Sequence, residues 1–158
     1  MRFLLFSFVF LAAILAVSQE RAQPSAAQAQ SRPANPPFSE GVAEGLLSEL
    51  RDGIVGQDRG ATLALFDQER MPDYSDFAER IGLMLERYDS FQVRYQLLQI
   101  AEETGANVAI VDLTLEAIPA SENQLPVRRS AQLRFTFSQG KAGWKISDLQ
   151  PRDFFAQF

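Results

Sequence analysis

The sequence predicts one α+β domain, three helices followed by a curved four-stranded antiparallel sheet, and three observations carry that expectation. Apolar residues recur at three- and four-residue spacing between Ser39 and Tyr88, and from Phe91 onward the spacing drops to two. Short turn signals, not long crossovers, separate the alternating runs. Helices grouped ahead of strands joined by tight turns pack on one face of an antiparallel sheet.

The first helix is expected to start at Ser39, an N-cap residue type, and to carry Val42, Ala43, Leu46, Leu47, Leu50 and Ile54 on one face before stopping at Gly56. Asp58 is placed to cap a short second helix with Leu63, Leu65 and Phe66, which breaks up from Asp67 to Pro72. A third begins near Asp73 or Ser75 and aligns Phe77, Ile81, Met84, Leu85 and Tyr88. Strand one alternates Phe91, Val93, Tyr95 and Leu97 with polar residues, and then Leu98 and Ile100 take the opposite parity, as a bulge would produce. After a Glu103-Thr104-Gly105 turn, Ala109, Val111, Leu113, Leu115 and Ala117 form the apolar side of strand two. A polar connection from Pro119 to Pro126 leads to strand three, with Val127, Ala131, Leu133, Phe135 and Phe137, and a Gly140 to Gly143 turn leads to Trp144-Lys145-Ile146-Ser147. The core is expected to close around Trp144, Phe135, Leu133, Val111, Leu85 and Ile81.

Ahead of this domain, Met1-Arg2, an apolar run from Phe3 to Val17 and small residues at Ala16 and Ser18 have the layout of an export signal, residues 1–18. The alternative is an uncleaved anchor, although about 15 residues at ~1.5 Å each cover only ~22 Å of a ~30 Å hydrocarbon core. Residues 19–37, rich in Ala, Gln, Pro and Ser, read as a disordered linker, and residues 38–158 as the folded domain. The expected location is therefore periplasmic or secreted, with membrane contact only through an uncleaved signal.

Composition excludes several chemistries. The chain has no cysteine, so the domain must stand on its hydrophobic core without disulfides or a lipidated thiol. It has no histidine, which removes Ser-His-Asp and zinc chemistry of the usual kinds. From Phe38 onward, 12 Lys and Arg face 19 Asp and Glu, a net charge of −7 that disfavours nucleic acid. The acidic pairs Glu102-Glu103, Glu40 with Glu44 and Asp73 with Asp76 lack the ligand spacing of a calcium loop, so no metal and no cofactor is expected.

The helix end Leu63-Ala64-Leu65-Phe66-Asp67 and the segment Gly140-Lys141-Ala142-Gly143-Trp144-Lys145-Ile146-Ser147-Asp148-Leu149, together with the order of elements, resemble the nuclear transport factor 2-like superfamily, also described as SnoaL-like or cystatin-like cones. The resemblance covers roughly residues 39 to 150 and implies a cone-shaped fold, often with a pocket at its open end, in an exported bacterial protein. It implies no single activity, because the superfamily holds isomerases, cyclases, dehydratases and binding modules alike. Isomerase-like members place a catalytic aspartate shortly after helix two and a tyrosine in helix one. Here the nearest acid is Asp73, beside Tyr74, and helix one has no tyrosine.

Asp73 and Tyr95 are accordingly the weak candidates for a base and a donor, with Tyr74, Tyr88 and Tyr95 the candidates for a ligand pocket. Asp73 can equally cap helix three, and the tyrosines can pack by their rings. Arg94, Asp112, Gln132 and Arg134 belong to the outward sheet face, where a homodimer would form. Phe154, Phe155 and Phe158 are expected to fold back over the mouth or an edge of the cone. The expectation is an exported, non-catalytic binding or accessory domain for a small apolar ligand or a protein partner. The alternative is a small pocket enzyme of isomerase, cyclase or dehydratase type.

Overall fold

Helix caps set the first two elements. In the computed structural model, which describes residues 36–120 and 123–158, the Ser39 hydroxyl accepts from the Val42 amide at the start of α1, Glu40–Val55. The expected signal (1–18) and residues 19–35 of the expected linker lie outside the described residues. Asp58 accepts from the Ala61 amide at 2.8 Å and opens α2, Arg59–Ala64. Each bond satisfies a donor that the helix itself cannot. The third helix, α3, spans Tyr74–Arg87, but Asp73 does not cap it through its side chain. Asp73 takes a left-handed backbone with φ 54° and lies 3.7 Å from Arg152 instead.

Four antiparallel strands follow, β1 Tyr88–Glu103, β2 Ala106–Pro119, β3 Val127–Gly140 and β4 Gly143–Gln150, paired in chain order as one curved, unclosed sheet. Tyr88 opens β1 with extended geometry and does not end the face of α3, because helical pairing stops at Arg87. The change of parity at Leu98 is a register shift between Leu97 and Gln99, as the alternation predicts. Thr104 and Gly105, at φ 52° and 78°, make the two-residue turn into β2. Positive φ at both positions matches the twist of the flanking strands.

Alternation then puts one side of every strand against the helices. Phe91, Val93, Val111, Leu113, Leu115, Leu133, Phe135, Phe137, Ile146 and Leu149 meet Ala43, Leu47, Leu50, Ile54, Phe77, Ile81, Met84 and Leu85 in a single buried cluster. A short 3-10 helix, Phe154–Gln157, closes it, and Phe154, Phe155 and Phe158 are all buried. Trp144 is only half-buried and lies at the margin of the core, since the N-terminal approach covers it: Phe38 packs 5.2 Å from its ring, and its Nε1–H donates to the Pro36 carbonyl at 2.8 Å. Ile146, two residues on, takes the central place on β4.

One long-range contact falls outside any local pattern. Leu65, Phe66 and Asp67 run beside β4, with the Ile146 amide donating to Leu65 at 2.9 Å and the Asp67 amide donating back to Ile146 at 2.8 Å. That bridge covers part of the edge of the last strand and fixes where the loop from α2 to α3 starts.

Candidate functional site

The outward sheet face is an ordered polar surface, and strand register determines what meets on it. Asp112 lies opposite Gln96 on one side and Gln132 on the other, and Gln132 Nε2 donates to its carboxylate at 3.3 Å. Thr114 sits between Arg94 and Ser130, its hydroxyl 2.8 Å from that of Ser130. Arg134 donates to Glu103 at 2.8 Å and to the Thr136 hydroxyl at 3.2 Å. Asp112, Thr114, Ser130 and Gln132 line an open cleft of about 350 Å³ along β2 and β3. Of the four residues expected on this face, Asp112 and Gln132 touch, while Arg94 and Arg134 flank them on β1 and β3.

The tyrosines occupy three separate places. Tyr74 donates to the Leu63 carbonyl at 3.4 Å, between α3 and α2. Tyr95 reaches from β1 to the Glu44 carbonyl of α1 at 3.5 Å. Tyr88 presents its ring to Phe91 and Phe158 at 6.0 and 6.3 Å. Asp73, its side chain 77% exposed, lines a small cleft of about 70 Å³ with Asp76, Arg80 and Arg152. Asp73 and Tyr95 thus attach to different elements, one facing Arg152 and the other α1.

Between the helices and the sheet the space is filled by apolar side chains, aliphatic and aromatic. Phe66 and Phe77 pack at 4.6 Å, Phe77 meets Phe155 at 6.2 Å, and Phe154 stands edge-on to Phe155 at 5.0 Å. Two arginines hold the closing segment by its main chain, Arg129 donating to the Phe154 carbonyl at 3.1 Å and Arg87 to that of Phe158 at 3.0 Å. Among the described residues, the buried polar side chains are Thr62 and Ser147. The Thr62 hydroxyl has no hydrogen-bond partner and is wedged against Gly53 at the crossing of α1 and α2.

A second polar cleft, of about 410 Å³, opens where the loop after α2 meets the β3–β4 hairpin, lined by Asp67, Gln68, Glu69, Arg70, Gly140, Lys141, Ala142 and Lys145. Asp67 accepts from the Ser138 hydroxyl at 2.8 Å and from the amides of Glu69 and Arg70. Burial alone would raise its carboxyl, but those bonds and the Arg70 charge outweigh it and hold the group below the usual carboxylate range. Asp148 behaves alike: burial pushes it up, and the two-pronged Arg152 contact, with Gln150 and the Leu149 amide, brings it down. Sequence reasoning missed this cleft, although one signal was available, since Lys141 and Lys145 are the two lysines of the chain. Among the described residues no group of three or more His, Cys, Asp and Glu stands together to hold a metal ion.

No protein-family model and no curated protein matches the sequence. Solved structures do match. A conserved protein from Planctomyces limnophilus superposes with a TM-score of 0.60 at 11% identity, covering 70% of this chain and 91% of its own. A hexachlorocyclohexane dehydrochlorinase of the LinA type from Novosphingobium barchaimii gives 0.51 at 15% identity, covering 69% and 82%. A candidate dehydratase of the nuclear transport factor 2-like family from Streptomyces avermitilis gives 0.53 at 9% identity, covering 69% and 91%. Enzymes and proteins of unstated activity thus share this architecture, and what the likeness establishes is that the chain carries the nuclear transport factor 2-like fold.

Proposed function

We propose that the chain is a non-catalytic binding module, exported by residues 1–18, that assembles with a second copy of itself through the outer face of its sheet. The observation that carries the reading is the apolar interior. General acid-base work on a bound substrate needs a carboxylate raised by desolvation and a donor aimed at the developing charge. Among the described residues, the carboxylates with displaced pKa values, Asp67 and Asp148, are both lowered, and buried aliphatic side chains and phenylalanines occupy the space between helices and sheet. The outer face has the opposite character. It carries Arg94, Arg128 and Arg134 alongside Glu103, Asp112 and Glu116, a mixture of signs that can complement itself across a two-fold axis.

Sedimentation over a range of concentration and salt tests this. A reversible dimer weakened by salt is expected, and Thr114→Arg, which places a charge at the middle of the face, shifts it to monomer. A monomer at every concentration, or a dimer indifferent to Thr114→Arg, overturns the assembly. The competing reading, a small pocket enzyme, draws on the dehydrochlorinase and the candidate dehydratase among the similar structures. Turnover of an enolisable ketone that is lost in Asp73→Asn would establish it in place of the binding module.

A further inference from the structure

We propose that the cleft between the loop after α2 and the β3–β4 hairpin binds a small dianion, a phosphate or dicarboxylate group held by Arg70, Lys141 and Lys145. The cleft, of about 410 Å³, falls within the ~300–1,000 Å³ range of small-molecule sites. Its cations are concentrated against the trend of the chain. The domain is acidic overall, yet both lysines and an arginine line this one depression. Among the described residues neither lysine takes part in an ion pair.

The walls are held in place before any ligand arrives. Pairing of residues 65–67 with Ile146 fixes the loop, and the Arg70 and Met71 amides donate to the Asp67 carbonyl at 3.2 and 2.8 Å. Arg70 is anchored to the opposite wall through Nη1, which donates to the Gln139 carbonyl at 3.0 Å. Lys145, half-buried on β4, pairs in register with Ser138, whose hydroxyl donates to Asp67. Lys141 stands exposed in the two-residue turn. A site so fixed loses little conformational freedom on binding.

The acids of the cleft do not cancel its cations equally. Asp67 already accepts from one hydroxyl and two amides and lies 3.5 Å from Arg70, so its charge is committed to the loop. Glu69 is the remaining acid of the lining. The anion is small because a nucleic acid or other long polyanion would be repelled by the rest of the domain. With Nη1 of Arg70 bound to the Gln139 carbonyl, its other N–H donors and two ammonium groups suit either a tetrahedral phosphate or a pair of carboxylates.

The full chain, labelled with nitrogen-15, is titrated with inorganic phosphate and separately with succinate, against sodium chloride at matched ionic strength. Saturable amide shifts centred on Arg70, Gly140, Lys141 and Lys145 are expected with at least one dianion, and the one that saturates at lower concentration names the source. Lys141→Gln, in an exposed turn where folding is undisturbed, weakens the interaction about fivefold, and Arg70→Gln does at least as much. Glu69→Gln tightens it, a change of sign that a merely structural residue would not give. Shifts that grow linearly and equal those with chloride, or dissociation constants untouched by Lys141→Gln and Glu69→Gln, overturn the proposal.

Discussion

Replacing Phe155 with Ala tests whether the C-terminal segment belongs to the core or merely lies on it. The ring is 1% exposed and contacts Phe77 and Phe154 at 6.2 and 5.0 Å. Truncating a buried phenylalanine costs about 3–5 kcal/mol, the range reflecting how far the site collapses into the cavity. Collapse is limited here, because Arg129 and Arg87 hold the main chain on either side of Phe155 by the carbonyls of Phe154 and Phe158. At roughly 4 °C per kcal/mol for a domain of this size, the thermal midpoint should fall by about 12–20 °C. Circular dichroism of the full chain measures it, with Phe155→Leu as the control that retains most of the burial. Trp144→Ala, at a half-buried position beneath Phe38, should cost less, about 1.5–2.5 kcal/mol. A Phe155→Ala midpoint within about 3 °C of wild type, or a Trp144→Ala loss exceeding it, would refute the placement of the closing segment inside the core.

Two glycines of α1 should respond with opposite signs: Gly45→Ala, where an added methyl meets nothing within 4 Å, should raise stability by about 0.5–1 kcal/mol, whereas Gly53→Ala should lower it, since its methyl would lie 2.6 Å from the Thr62 hydroxyl. Urea midpoints separate the two. The carboxyls of Asp67 and Asp148 are both held below the usual aspartate range, so their contribution is complete above that range and is lost as the pH falls through the lower folded-state values. Thermal midpoints followed from pH 7 to about pH 2 should therefore drop for the wild type, while Asp148→Asn starts lower and converges with it in acid. A constant gap between the two at all pH values would show that the Asp148 charge is not what Arg152 recognises.

How much of the fold could be read in advance depended on whether its cause was local. The caps at Ser39 and Asp58 and the parity change at Leu98 are set by neighbours a few residues away, and each appears where the pattern places it. Tyr88 misled because it continues the spacing of Ile81, Met84 and Leu85, while a register shift between Tyr88 and Ser90 breaks the alternation that would have marked it as strand. Trp144 misled for a different reason. Its parity is right for the inner face, but a residue near the start of the last strand lies where the helices give out, and its cover comes from Pro36 and Phe38.

The candidate sites divide along the same line. Register alone brings Asp112 beside Gln132 and Thr114 beside Ser130, so the outer face could be written down from the alternation of β2 and β3. The cationic cleft could not. Lys141 and Lys145 lie four apart, but Arg70 joins them only because residues 65–67 lie along β4 at Ile146, some eighty positions later in the chain. Nothing in Leu65-Phe66-Asp67 distinguishes a helix end that stops from one that goes on to bridge a strand edge. That one bridge also places Asp67 under Ser138, and with it the loop that presents Arg70. Composition could announce the lysines, and pattern could place the hairpin, but only the non-local pairing gives them a third cation and an opposite wall.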